Sequence, residues 1–184
     1  MIEILELQTK HGKIKIKNDR SFQVDSADNL HVYDFIYNAN NENYYASTQF
    51  GIFTTIAKAI LLNNGGVSGL HEHCYVINDS KLLLCVGDAI FCLEIPSLKL
   101  LWISQVDTAS CFGIYKISDG FIIHGECEIT RINGNGNIIW QHSGSDIFTT
   151  AEGTDTFKIE NDIIHAKSWD DRRYKFSLSG AILV

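Results

Sequence analysis

The residues with the greatest capacity for chemistry are His71, His73 and His124, with Glu126 and Cys127 close to the last. In His71-Glu72-His73-Cys74 two imidazoles stand two positions apart. An extended backbone therefore turns both to one side and Glu72 to the other. Imidazoles at that spacing can share a metal ion if a third ligand arrives from elsewhere. His124 and Glu126 repeat the spacing and are the natural source. The simpler reading is that these groups are satisfied by hydrogen bonds within a sheet or at its mouth. Just ahead lies the most glycine-dense loop of the chain, Asn63-Asn64-Gly65-Gly66-Val67-Ser68-Gly69. Gly65, Gly66 and Gly69 would let backbone N–H groups approach an anion. No Gly-Lys-Ser/Thr follows, so the loop is not a P-loop, and a tight turn between two structural units explains it more simply. Asn133-Gly134-Asn135-Gly136-Asn137 begins like a calcium loop but has Gly144 where the bidentate acid belongs, and an Asn-Gly hairpin turn accounts for it better.

The elements that would position these residues repeat. Cys74 to Trp102, Ile114 to Trp140 and Thr156 to Val184 read as copies of one unit, with starts 40 and 42 residues apart. Each opens with an alternating segment that ends in polar turn residues: CYVIND, IYKISD, TFKIEN. An apolar strand, a third strand with a turn, and a short apolar run (LLW, IIW, ILV) follow. A period near 40 with about four short strands is the spacing of a propeller blade. Ahead of the repeats, residues 3–7 and 13–17 alternate around a His11-Gly12 turn, which predicts a hairpin with its lysines in water. Residues 29–37 read as a further strand. Residues 50–62 carry apolar side chains on one helical face, with Asn63-Asn64-Gly65-Gly66 as a C-cap. Their β-branched content and their setting among strands favour a strand. The expected organisation is an N-terminal β unit over 1–66 and three blade-like repeats over 67–184, with almost no helix. N-terminal strands acting as a fourth blade would permit a compact closure; otherwise the repeats form an open arc.

Composition narrows the function classes. The chain has 184 residues and a net charge of -7. Residues 1–66 hold six Lys/Arg and seven Asp/Glu, and residues 67–184 hold nine and fifteen. The repeat region is therefore the acidic part, which repels phosphate backbones and favours encounter with a basic partner. The candidate contact acids are Asp107, Glu126, Asp146, Asp170 and Asp171. No apolar run is long enough to span a bilayer and no export signal is visible, so a cytoplasmic setting is expected, with no cofactor. The five cysteines lack paired spacing and sit in or beside apolar strands, which predicts reduced, buried thiols.

The stretches GDAIFCLEIPSLKLLW and EITRINGNGNIIWQ resemble blades of quinoprotein-like and WD-like propellers, with Trp102 and Trp140 matching a strand-ending tryptophan and Val184 standing in its place in the last unit. The run from GGVSGLHEHC to SGSDIFTT looks like a group of small bacterial proteins, some of them immunity proteins that neutralise toxins. The resemblance implies an all-β, partial or compact propeller-like stack of antiparallel meanders. It also implies a non-enzymatic module that binds a protein, such as a basic toxin domain. The alternative is an enzyme or metal-dependent ligand binder centred on the glycine loop, His71 and His124.

Overall fold

The computed structural model describes residues 2–40, 46–154 and 156–183. Seventeen strands form four separate sheets, and no helix appears among the described residues. None of these residues therefore forms a helix long and apolar enough to cross a membrane.

Three of the sheets are antiparallel meanders, the all-β architecture that the sequence predicts. The second sheet is the meander β6 (Tyr75–Asn78), β7 (Lys81–Val86), β8 (Ala89–Glu94) and β9 (Leu100–Gln105). The third is β10 (Cys111–Ile117), β11 (Gly120–Gly125), β12 (Glu128–Ile132) and β13 (Ile138–Ser143). The fourth is β14 (Phe157–Glu160), β15 (Ile163–Lys167), β16 (Arg173–Ser177) and β17 (Ile182–Leu183). All neighbours in these sheets are antiparallel. Val184 lies outside the described residues.

The N-terminal unit is a fourth sheet of the same plan. Its strands are β1 (Ile4–Thr9), β2 (Gly12–Asn18), β4 (Thr48–Phe53) and β5 (Lys58–Asn63), paired in that order. The 50–62 region is therefore two strands and a turn. That turn closes on Thr54 N–H donating to the Ala57 carbonyl, as Glu94 N–H donates to the Lys99 carbonyl one sheet on. Residues 19–47 are an insertion between the second and third strands of this sheet. They add β3 (Phe35–Asn38) to its outermost edge, parallel to β5. The strand expected over 29–37 is thus confined to its last residues and continues one beyond them. The preceding segment covers the sheet's outer face, packing Phe22 and Tyr33 on Ile60 and Leu62.

Burial explains the two sequence patterns. The runs KLLLCV and AIFCLE are almost wholly buried, because the second sheet is covered on both faces. Strands β1 and β14 alternate, because each of these strands has one face in water. One core joins the first three sheets through side chains such as Ile16, Phe50, Leu84, Phe91 and Ile123, and a second joins the third and fourth through Ile122, Phe148, Ile164 and Phe176.

The sheets are keyed by one recurring contact. Trp102 and Trp140 occupy the same register, each beside a bulge, opposite Cys92 and Arg131. Each ring seats on the last turn of the next sheet. A Cβ on Gly136 would lie 2.6 Å from the Trp102 ring, and one on Gly180 would lie 2.8 Å from that of Trp140. Both glycines take positive φ, as does Leu98 at the matching turn of the second sheet. There the key is Tyr37 of the inserted strand, whose hydroxyl donates to the Leu98 carbonyl at 3.1 Å and accepts from Leu100 N–H at 3.2 Å. Trp140 Nε1 and Arg131 both donate to the Leu178 carbonyl, at 3.0 and 2.7 Å.

Gly136→Ala should therefore cost about 1–3 kcal/mol through its left-handed backbone and the ring above it. Gly134, whose Cβ would meet open space, is the control and should tolerate alanine. In a urea series the Gly136→Ala and Trp102→Ala losses should add to less than their sum, since the second change removes the ring that the first one strikes. Full additivity would show that the two do not touch.

Candidate functional site

One end of the stack gathers the expected site residues. It carries the turn between the second and third strands of the last three sheets, together with the links from each sheet to the next. Glycine-sized gaps draw these loops together. The Asp88 carboxylate fills the space beside Gly65, and the Ala109 carbonyl and Ser110 hydroxyl fill that beside Gly66. The Gly66 carbonyl accepts from Ser47 and Thr48. Asp88 also accepts from Asn63 Nδ2 and Gln105 Nε2, each at 2.8 Å. The glycine loop is thus a junction packed by protein groups, with only Gly69 in open space.

Asp107 repeats the device one sheet on. It is 2 % exposed and accepts the N–H groups of Ala109, Cys127 and Glu128 at 2.7, 3.0 and 2.8 Å. Its burial raises its carboxyl above the usual range, against those hydrogen bonds. Asp107 is therefore not the exposed contact acid that the sequence suggested: it holds the loop beneath the surface.

The other four acids lie on loops that are tied to one another. Phe148 N–H donates to the Glu126 carbonyl at 2.6 Å, and Trp169 N–H to the Ile147 carbonyl at 2.8 Å. These bonds tie the ends of the third and fourth sheets into one rim. Glu126 is half-buried there, and Asp146, Asp170 and Asp171 are exposed. Ser145 and Ser168 hydroxyls donate to Asp170 and hold its carboxyl below the usual carboxylate range. Lys167 meets Asp171 at 2.5 Å and Arg172 meets Asp170 at 3.2 Å, so cations partly offset the rim's charge. In its midst stands Trp169, 52 % exposed. Sequence reasoning missed it. The available signal was a tryptophan inside a polar turn, Ser168-Trp169-Asp170-Asp171, outside any alternating pattern.

The histidines are placed differently. His71 and His124 stand near opposite ends of a file of rings. Centroids are 6.4 Å from His71 to His73, 5.2 Å to Tyr115, 4.7 Å to Phe157 and 4.6 Å to His124. His124 is buried, with Nε2 2.9 Å from the Phe148 carbonyl. Burial pushes its pKa down to about 4, and burial also lowers that of His71. Two aromatic rings separate the pairs that could have shared a metal. Among the described residues no group of three or more His, Cys, Asp or Glu side chains could hold one. Beside the file a cleft of about 700 Å³ opens between the innermost strands, lined by His73, Tyr75, Tyr115, Lys116 and Asp162. Burial raises the Tyr115 hydroxyl to about 12. The five cysteines are free thiols, and burial pushes Cys74 up to about 12 and Cys92 to about 11.

No protein-family model matches the chain, and no curated protein matches it. Solved structures are similar to it in part. The crystal structure of the computationally designed Ika4 protein matches with a TM-score of 0.50 at 11% identity, over 64% of this chain and 76% of that one. The AfRom2 CNH domain matches with a TM-score of 0.47 at 7% identity, over 99% of this chain and 66% of that one. BamB from Moraxella catarrhalis matches at 0.46 and 11% identity, over 76% of this chain and 42% of that one. The chain thus spans less than half the length of BamB. At 11% identity the likeness to Ika4 concerns fold alone.

His124 makes stability depend on pH with a definite sign. Its folded pKa, about 4, lies below the ordinary 6.5. Between those values the unfolded chain binds the proton and the folded chain does not, so stability is lost as pH falls through that window. The full loss is on the order of 3 kcal/mol. Buried Asp107, whose pKa is raised, acts in the opposite sense. Comparison of the wild type with His124→Phe isolates the histidine: the variant's denaturation midpoint should fall less steeply from pH 6.5 to 4. Equal slopes would refute the assignment.

Proposed function

We propose that this chain is a non-enzymatic protein-binding module that works as a bacterial immunity protein does, neutralising a toxin domain by covering it. The observation that carries the reading is Trp169, half exposed on a rim shared with Glu126, Asp146, Asp170 and Asp171. A tryptophan is the residue type most often found to dominate binding energy when a partner desolvates it. Carboxylates around it steer a basic partner and reject acidic ones, and act mainly on the rate of encounter. The rim is held by backbone hydrogen bonds from Phe148 and Trp169, so little order remains to be gained on binding. The net charge of -7 favours the same class of partner. A cytoplasmic setting, where such a toxin would have to be stopped, belongs to the same reading.

Affinity capture at low salt, followed by mass spectrometry, would identify the partner. Trp169→Ala should then weaken binding by about 2 kcal/mol or more, mainly through faster dissociation. Asp146→Asn with Asp171→Asn should slow association and flatten its salt dependence, with the melting temperature unchanged. A partner that bound both variants with wild-type kinetics would overturn the reading. So would turnover of a small molecule that is lost on changing His71 or His124.

A further inference from the structure

The outer face of the fourth sheet has the opposite character from the rim. Strand pairing puts Lys158, His165 and Lys175 in one cross-strand row and Lys167 and Arg173 in the next, all on the side turned away from the third sheet. The inward side carries Ile164, Ala166 and Phe176, all buried. The outward side forms a shallow groove of about 400 Å³ whose walls are Lys158, His165, Lys167, Arg173 and Lys175. Two of the cations are already committed, Lys158 to Glu160 at 2.9 Å and Lys167 to Asp171 at 2.5 Å. Arg173 and Lys175 are exposed and have no carboxylate partner among the described residues. Two cations side by side on one strand, with no carboxylate partner among the described residues, stand out in a chain of net charge -7.

We infer that this groove binds an acidic segment of a partner protein, laid along β15 and β16 in extended form. Arg173 and Lys175 stand two residues apart on one strand, so their charges repeat at about 6.8 Å. Carboxylates at alternate positions of an extended peptide have the same repeat. Neighbouring strands lie about 4.8 Å apart, so one peptide running along them can meet cations from β15 and β16 at once. The arginine can also grip a carboxylate with two parallel hydrogen bonds. A nucleic acid is the poorer fit, since its phosphates would run beside the exposed Asp170 and Asp171 at the end of the same sheet. The inference goes beyond the rim reading and shares none of its binding residues, so either can fail without the other.

The test uses the full chain and a fluorescent peptide of about eight residues with glutamate at alternate positions. Fluorescence anisotropy should show binding that weakens with salt. The charge reversal Arg173→Glu with Lys175→Glu should weaken it about tenfold or more and permit binding of the matching lysine peptide. Trp169→Ala should leave it unchanged. Thermal melts establish that the reversed protein is folded, and Arg173→Gln with Lys175→Gln, a milder change, serves if it is not. Three outcomes would overturn the inference: no binding of the acidic peptide, equal binding by wild type and charge-reversed protein, or tighter binding of a single-stranded oligonucleotide of equal charge.

Discussion

A four-stranded sheet cannot bury both of its own faces, and in this protein the contact that fixes how each sheet sits on its neighbour is a ring laid on a turn. Tyr37, Trp102 and Trp140 come from the outermost strands of three successive sheets, and each lands on the last turn of the next. The turn residue must take a left-handed backbone, and at two of the three sites there is no room for a side chain. Core packing alone leaves sheets free to slide, because apolar attraction has little direction. A ring that fits only above a missing Cβ removes that freedom. The loop junctions at the other end, built on Asp88 and Asp107, take their alignment from sheets already in register.

Much of this was legible in the residues. The repeat of about forty residues gave the last three sheets, since each copy has its own strands and turns in the same order. Trp102 and Trp140 were expected to be equivalent, and they share a register and a bulge. The first sheet was harder to see as a fourth copy because the insertion over 19–47 divides it. Its outer strand is parallel, a pairing that sequence order does not suggest. The helical periodicity at 50–62 arose because β4 and β5 are buried on both faces, and continuous apolar runs fit either period.

The site was less legible, for a reason the individual residues make plain. Asp107 and Asp171 are the same residue type in loops that follow a strand, yet one is sunk among three N–H donors and the other stands in water. That difference depends on how loops from different sheets meet, and no local pattern records it. The same holds for His71 and His124, which a ring file links without bringing them together. Trp169 went unnoticed because a tryptophan in a β protein is read as core by default. Its place in an acidic turn was the contrary sign.

The insertion in the first sheet has a bearing on how the chain reaches this form. The other three sheets are meanders whose strands meet their sequence neighbours, so each can form from contacts made close by along the chain. In the first sheet β2 must find β4 across residues 19–47. Closing so long a loop costs chain entropy before any pairing repays it. The N-terminal sheet is thus the natural last arrival, assembling on a surface the later sheets have already prepared. The sheet that precedes the other three in the chain is the one with most to wait for.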